Sequence, residues 1–227
     1  MTEFKKEIKK TLNNKISQLN DIIADIDQLL TKMETDYYRA CIFGSARIEP
    51  NSDAFKEVYQ LAFELSSRNV DIVTGGGPGL MQAANMGAKD GGSKSRSIGI
   101  AIELPFEAST NAHLDVKRHH RRFSSRLDEF IRISHALIIT PGGIGTLLEL
   151  FYSWQLLQVN HMQKRPVFLV GGDKMWPELI DWFKKWPLKQ KLISPEDLDS
   201  LIICEDIQDV IKKLEPDIQK FYQKNTK

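Results

Sequence analysis

The run Pro141-Gly142-Gly143-Ile144-Gly145-Thr146-Leu147-Leu148-Glu149 joins a glycine-rich turn to a carboxylate. It directly follows the apolar segment Ala136–Thr140, which reads as a buried strand, so the run is the turn that opens a helix. Glycines let the backbone approach a ligand closely, and the first amides of a helix have no internal partner. Such a terminus attracts anions, phosphate above all. Glu149 follows about one turn later, close enough to act on whatever the phosphate is attached to. The helix dipole alone also favours a glutamate there, whatever its role.

Further loops follow other apolar segments. Phe43-Gly44-Ser45-Ala46-Arg47 offers a close approach at Gly44, a hydroxyl at Ser45 and a bidentate donor at Arg47. A tight turn with a solvated arginine explains the same residues. Thr74-Gly75-Gly76-Gly77-Pro78-Gly79-Leu80-Met81 removes every side chain where the chain leaves a strand, and Pro78 suits the first turn of a helix. Its spacing is neither a dinucleotide fingerprint nor a Walker A loop. It is either a backbone-lined ligand surface or a tight strand–helix crossover. The segment from Glu103-Leu104-Pro105-Phe106-Glu107 to Asn111 leads into Lys117-Arg118-His119-His120-Arg121-Arg122-Phe123-Ser124-Ser125-Arg126. That basic run could neutralise a phosphorylated ligand, or form a solvated helical face partnered by Asp128 and Glu129.

These loops must be positioned by the elements between them. Apolar segments at Tyr38–Phe43, Val70–Thr74, Ser97–Ile102, Ala136–Thr140, Val167–Val170 and Leu201–Cys204 read as strands. Helical patterns cover Ala54–Arg68, Gly79–Lys89, Val116–Ser134, Ile144–Gln158, Trp176–Trp186 and Ile207–Leu214, and the tail after Glu215-Pro216 reads as fraying. Short, nearly continuous apolar strands alternating with helices imply a mainly parallel sheet covered on both faces. The expected fold is α/β, a Rossmann-like doubly wound sheet over residues 37–227, with ligands at the carboxyl ends of its strands. Residues 1–36 form a separate extension. There Leu12, Ile16, Leu19, Ile23, Ile26, Leu30 and Met33 alternate spacings of four and three, a seam on one long helix. It either lies across its own domain or pairs with another helix.

At 227 residues and 41% apolar content the chain can fill a core, and no stretch is long and apolar enough to span a membrane. Its charged N-terminus lacks the apolar centre of a signal peptide, which gives a cytoplasmic expectation. With 31 Lys and Arg against 30 acids, no global basic field argues for nucleic acid. Cys41 and Cys204 sit inside apolar runs and read as reduced core residues. No Cys/His spacing suggests a metal.

Taken together the loops resemble the LONELY GUY (LOG) family, once labelled lysine decarboxylases. Pro141–Glu149 meets the pattern P-G-G-x-G-T-x-x-E, Gly75–Asn85 meets G-G-G-P-G-[IL]-M-x-A-A-N, and Phe43–Arg47 meets F-G-S-A-R. The resemblance spans about Tyr38 to Ile211. It implies a Rossmann-like phosphoribohydrolase that cleaves the N-glycosidic bond of a nucleoside 5′-monophosphate, such as a cytokinin ribotide or AMP. By the family's spacing the catalytic arginine falls on Arg126, with Glu149 as the catalytic carboxylate. Gly142, Gly143, Gly145 and Thr146 would bind the phosphate. Gly75, Gly76, Gly77, Leu80 and Met81, with Ser45 and Arg47, would line the rest. The resemblance implies no metal and no cofactor, and a homodimer or higher homo-oligomer; it leaves open which of the basic residues 117–126 serve the partner's site. A decarboxylase would need a Schiff-base lysine in a pyridoxal site, which no motif here supplies. Leu127, Leu148 and Gln82 depart from the family's lysine, second acid and glutamate. They keep a second expectation open: a nucleotide-binding sensor or carrier that does not hydrolyse.

Overall fold

The computed structural model describes residues 3–33, 36–92, 94–103 and 110–225. The chain divides into two compact units, Met1–Asp36 and Tyr37–Lys227. The first contains one helix, α1 (Glu3–Met33). In the second, the elements run β1 (Arg39–Phe43), α2 (Asp53–Ser67), β2 (Asp71–Thr74), α3 (Leu80–Gly91), β3 (Ser97–Ile102), β4 (Val116–His120) and α4 (Phe123–Ile133). They continue β5 (Ala136–Ile139), α5 (Ile144–Gln158), β6 (Val167–Leu169), α6 (Met175–Phe183), α7 (Pro195–Asp199), β7 (Leu201–Ile203) and α8 (Ile207–Asn225).

The strands form one parallel sheet in the order β4-β3-β2-β1-β5-β6-β7. Period-two alternation sends Ala40 and Ile42 of β1 into one core layer, with Leu61, Leu65, Ala83, Ala84 and Leu214 from α2, α3 and α8. Cys41 and Phe43 enter the opposite layer, with Phe130, Leu150, Trp154 and Trp176 from α4, α5 and α6. Burial on both faces explains why the central strands read as unbroken apolar runs. The strand order reverses between β1 and β5, which opens a crevice at their carboxyl ends. The loops after β1, β2 and β5 all leave the sheet at that edge.

Three expectations change. The helix expected over Val116–Ser134 is a strand followed by a shorter helix. Among the described residues β4 is an edge strand paired with β3, and its residues are half-buried and exposed in turn. Its Val-Lys-Arg-His-His run therefore lacks the apolar signature of an inner strand, as edge strands often do. The tail after Pro216 is helical to Asn225, with Pro216 inside α8. Ile218 is buried, and the Tyr222 hydroxyl donates to Asn69 O at 2.6 Å, so tertiary anchoring outweighs the lost helix bond. Finally, α6 ends at Phe183 and gives way to a π-helical turn, Lys184–Leu188, around Pro187.

α3 carries the triple-glycine loop at its start, and its seat on α2 depends on Gly87. A Cβ there would fall 2.1 Å from Tyr59 O. Gly87→Ala must therefore push α2 and α3 apart. The expected cost is about 1–3 kcal/mol, read as a lower urea midpoint with an unchanged m-value; an unshifted midpoint contradicts the close crossing.

Candidate active site

Arg126 in the first turn of α4 and Glu149 in α5 meet at the carboxyl edge of the sheet. Nη1 of Arg126 lies 3.7 Å from Oε1 of Glu149, and each side chain is only 12% exposed. The guanidinium is fixed from several directions. Its Nε donates to Ile100 O at 2.8 Å, Nη2 reaches Gly75 O at 3.5 Å, and the group stands 5.1 Å over the Phe130 ring. Burial pushes the Glu149 carboxyl up, Arg126 pulls it partly back, and it titrates at about 7. Desolvation therefore outweighs the single nearby cation.

Backbone geometry follows from that placement. A Cβ on Gly75 would fall 2.4 Å from Nη2 of Arg126 and 2.6 Å from Sδ of Met81, so glycine leaves the space those groups occupy. Met81 is half-buried and folds toward Gly75 and Gly77. Leu80 is different: its side chain is wholly buried in the core. The Ser45 amide donates to Pro141 O at 3.0 Å, and Ser45 O accepts from Leu80 N at 2.9 Å, joining the three loops. Its hydroxyl accepts from the Arg47 amide at 3.1 Å, while the Arg47 side chain is exposed.

At the head of α5 no side chain caps the helix, and Gly143, Ile144 and Gly145 are exposed. The glycines there differ in cause. Gly142 is dictated by packing, since a Cβ would fall 2.1 Å from Oγ1 of the buried Thr146. Around Gly143 and Gly145 a Cβ would meet nothing within 4 Å. A helix start with no side-chain cap and open space beside it is an arrangement suited to an anion, hereafter the cradle.

A buried polar network that the sequence did not reveal holds the triple-glycine loop. Asn85 accepts from the Thr74 hydroxyl at 2.7 Å and from Nδ2 of Asn111 at 2.9 Å, and donates to Ser97 Oγ at 2.9 Å. Asn111 also donates to Gly76 O and Gly77 O, at 3.1 and 2.9 Å. The only available signal was a lone asparagine on the small apolar face Ala83-Ala84-Asn85. Leu104, Pro105, Phe106 and Glu107 of the third loop lie outside the described residues.

The basic run splits into separate roles. Glu129 accepts from Arg118, from His120 and, at 3.3 Å, from Arg132; burial pushes its carboxyl up, but Arg118 and His120 together hold it below the usual range. Asp128 instead pairs with the Tyr152 hydroxyl. Arg121 reaches Glu103 at 3.4 Å on the surface. Of this run, Arg126 is the residue that meets Glu149. Leu127 is buried, and Leu148 faces outward at 43% exposure. Cys41 and Cys204 are buried free thiols. Among the described residues no cluster of His, Cys, Asp and Glu is placed to hold a metal ion, and no helix is long and apolar enough to cross a membrane.

The chain is similar to several known proteins. A family model described as possible lysine decarboxylase matches residues 81–214. A cytokinin riboside 5′-monophosphate phosphoribohydrolase of Arabidopsis thaliana is 29% identical over 80% of this chain and 84% of its own. A pyrimidine/purine nucleotide 5′-monophosphate nucleosidase of Escherichia coli is 33% identical over 59% of this chain, though only 30% of its own. Among solved structures, a molybdenum cofactor binding protein from Rippkaea orientalis superposes with a TM-score of 0.60 at 20% identity, covering 80% of this chain and 98% of that one. At that identity the likeness establishes the Rossmann-like fold alone. With the family model matched over most of the domain and the loop motifs of the crevice in place, the chain belongs to the possible lysine decarboxylase family, that is, the LOG family.

Proposed function

We propose that this protein hydrolyses the N-glycosidic bond of a nucleoside 5′-monophosphate, giving a free base and ribose 5-phosphate. The observation that carries the proposal is the buried Arg126–Glu149 pair beside an uncapped, open helix start. The α5 amides at Gly143, Gly145 and Thr146 bind the 5′-phosphate, and this remote binding positions the sugar. Bond cleavage leaves positive charge on the ribose, as in glycoside hydrolysis. Glu149, ionised, stabilises that charge and orients the attacking water. The water oxygen bonds to C1′ as the C1′–N bond breaks, and a water proton ends on the departing base. Arg126 holds the substrate and keeps Glu149 ionised. The names of the relatives support a cytokinin ribotide or another purine or pyrimidine monophosphate as substrate. The alternative of a non-hydrolysing sensor or carrier keeps the cradle and loses the chemistry.

A homo-oligomer fits the same surface. Glu149 is the sole charged residue of α5, yet Ile144, Leu148 and Phe151 are exposed along it, with Trp182 and Trp186 also exposed. A helix apolar on every side is normally covered. Phe151→Lys should lower the light-scattering mass of the full chain; an unchanged mass removes α5 from the interface.

Base release from a panel of monophosphates tests the reaction. Glu149→Gln should reduce kcat by about 10²–10⁴-fold while nucleotide still binds. Because the working form is the carboxylate, kcat/KM of the wild type should rise about tenfold per pH unit and level off above about 7. Tight binding with no base released by the wild type would favour the carrier. Gly145→Ala examines the cradle separately. Its Cβ meets no protein atom, and alanine gains up to about 1 kcal/mol in a helix, so Tm should hold or rise. KM for the monophosphate should nevertheless increase about tenfold; an unchanged KM places the phosphate elsewhere.

A further inference from the structure

Arg126 is held by two carbonyls, Ile100 O and Gly75 O. Ile100 lies inside β3, where the sheet fixes it. Gly75 opens a run of three glycines, with Gly76 at φ +71°, and such a run has little stiffness of its own. Its carbonyl stays on the guanidinium only if the peptides around it are fixed from outside. On the near side the Gly76 amide donates to Thr74 Oγ1 at 2.9 Å, which turns the Gly75 carbonyl the other way.

Asn111 fixes the far side. Its backbone amide donates to Gly76 O at 2.8 Å, and its Nδ2 reaches the same oxygen at 3.1 Å, so both lone pairs of that carbonyl are used. Nδ2 also bridges to Gly77 O and to Asn85 Oδ1, each at 2.9 Å. Oδ1 of Asn111 accepts from the His113 amide at 3.0 Å, which sets the orientation of the side-chain amide. Three residues on, Leu114 packs over β3 and the glycine loop together. A Cβ on Gly99 would fall 2.5 Å from its Cδ1, and one on Gly76 would fall 3.3 Å from the same atom. Asp115 then accepts from the Ser97 amide of β3 at 2.9 Å. The stretch from Asn111 to Asp115 thus ties together the two places from which Arg126 is held.

We propose that Asn111 is a positioning residue for Arg126, keeping the Gly75 carbonyl on the guanidinium through the triple-glycine loop. Its bearing on catalysis rests on the hydrolase reading above; its effect on Arg126 does not. Nitrogen-15 NMR of the full chain tests it. In the wild type the Nη hydrogens of Arg126 should be held against rotation and give resolved signals, identified by their loss in Arg126→Lys. Asn111→Ala should merge those signals, while the Nε–H signal, bound to Ile100 O, persists. Asn111→Ser, which has no amide to bridge the two carbonyls, should act alike and serves if the alanine variant fails to fold. Ile218→Ala opens the core layer on the other face of the sheet from Phe130 and Leu150, and should leave the Arg126 signals as they are. In the base-release assay Asn111→Ala should lower kcat about tenfold or more, and Ile218→Ala should not. Merged Nη signals in the wild type, or unchanged ones in a folded Asn111 variant, would overturn the proposal. A wild type that releases no base overturns the hydrolase reading instead, and the NMR comparison still decides the role of Asn111.

Discussion

A carboxylate desolvated on the inner side of α5, with one guanidinium 3.7 Å away, is the constraint around which the crevice is arranged. In water Glu149 would ionise far below neutrality. Removed from water, it ionises only near 7, and Arg126 limits the penalty without cancelling it. The sign for stability follows. A carboxyl harder to ionise in the fold than in the unfolded chain weakens the fold as pH rises from the ordinary carboxylate range to about 7, and the whole cost is present above that. The protein therefore carries its full destabilisation at the pH where the carboxylate is available for chemistry. Strain of this kind is expected where a site is organised for function.

Holding that pair in place is the work of backbone, more than of side chains. Arg126 is pinned by carbonyls of Ile100 and Gly75. The Gly75 carbonyl is in turn fixed because its loop hangs from Asn85 and Asn111. Buried polar networks of this sort hold one geometry well when every member is satisfied, and here the Asn85 amide has a partner on each side. The loop after β5 is tied to the same assembly through Ser45 and Pro141. The start of α5, the carboxylate and the guanidinium are thus tied to the same edge of the sheet.

Much of this arrangement was legible in the sequence. Inner strands buried on both faces announce themselves as apolar runs, and glycine loops after strands mark where a crevice opens. Features governed by distant contacts were hidden. β4 reads as part of a charged helix because it lies at the edge of the described sheet beside β3 and Glu129 of α4 pairs with its Arg118 and His120. Past Pro216, α8 persists because Ile218 and Tyr222 dock on the domain, which no local propensity can show. Leu80 looks like a loop residue by position, yet Gly44 lacks a Cβ and Leu80 packs into that gap. In the site, motif spacing indicated Glu149 and Arg126, whereas the asparagines that hold the loop resemble any other polar residues of a helix or turn.

The departures from the family pattern take on physical meaning once their directions are known. Leu148 follows the outer face of α5, so an acid at that position would point away from Glu149. Leu127 is buried against the domain, where a lysine would need its stem to reach the surface or a partner to be present. Neither change removes a group that touches the Arg126–Glu149 pair. Leu148 replaces charge by apolar surface on α5, one turn along from the exposed Ile144, whereas Leu127 adds to the buried core. The Leu148 change therefore bears on the outer face of α5, while Arg126, Glu149 and the glycines at the start of α5 keep the residues of the family pattern.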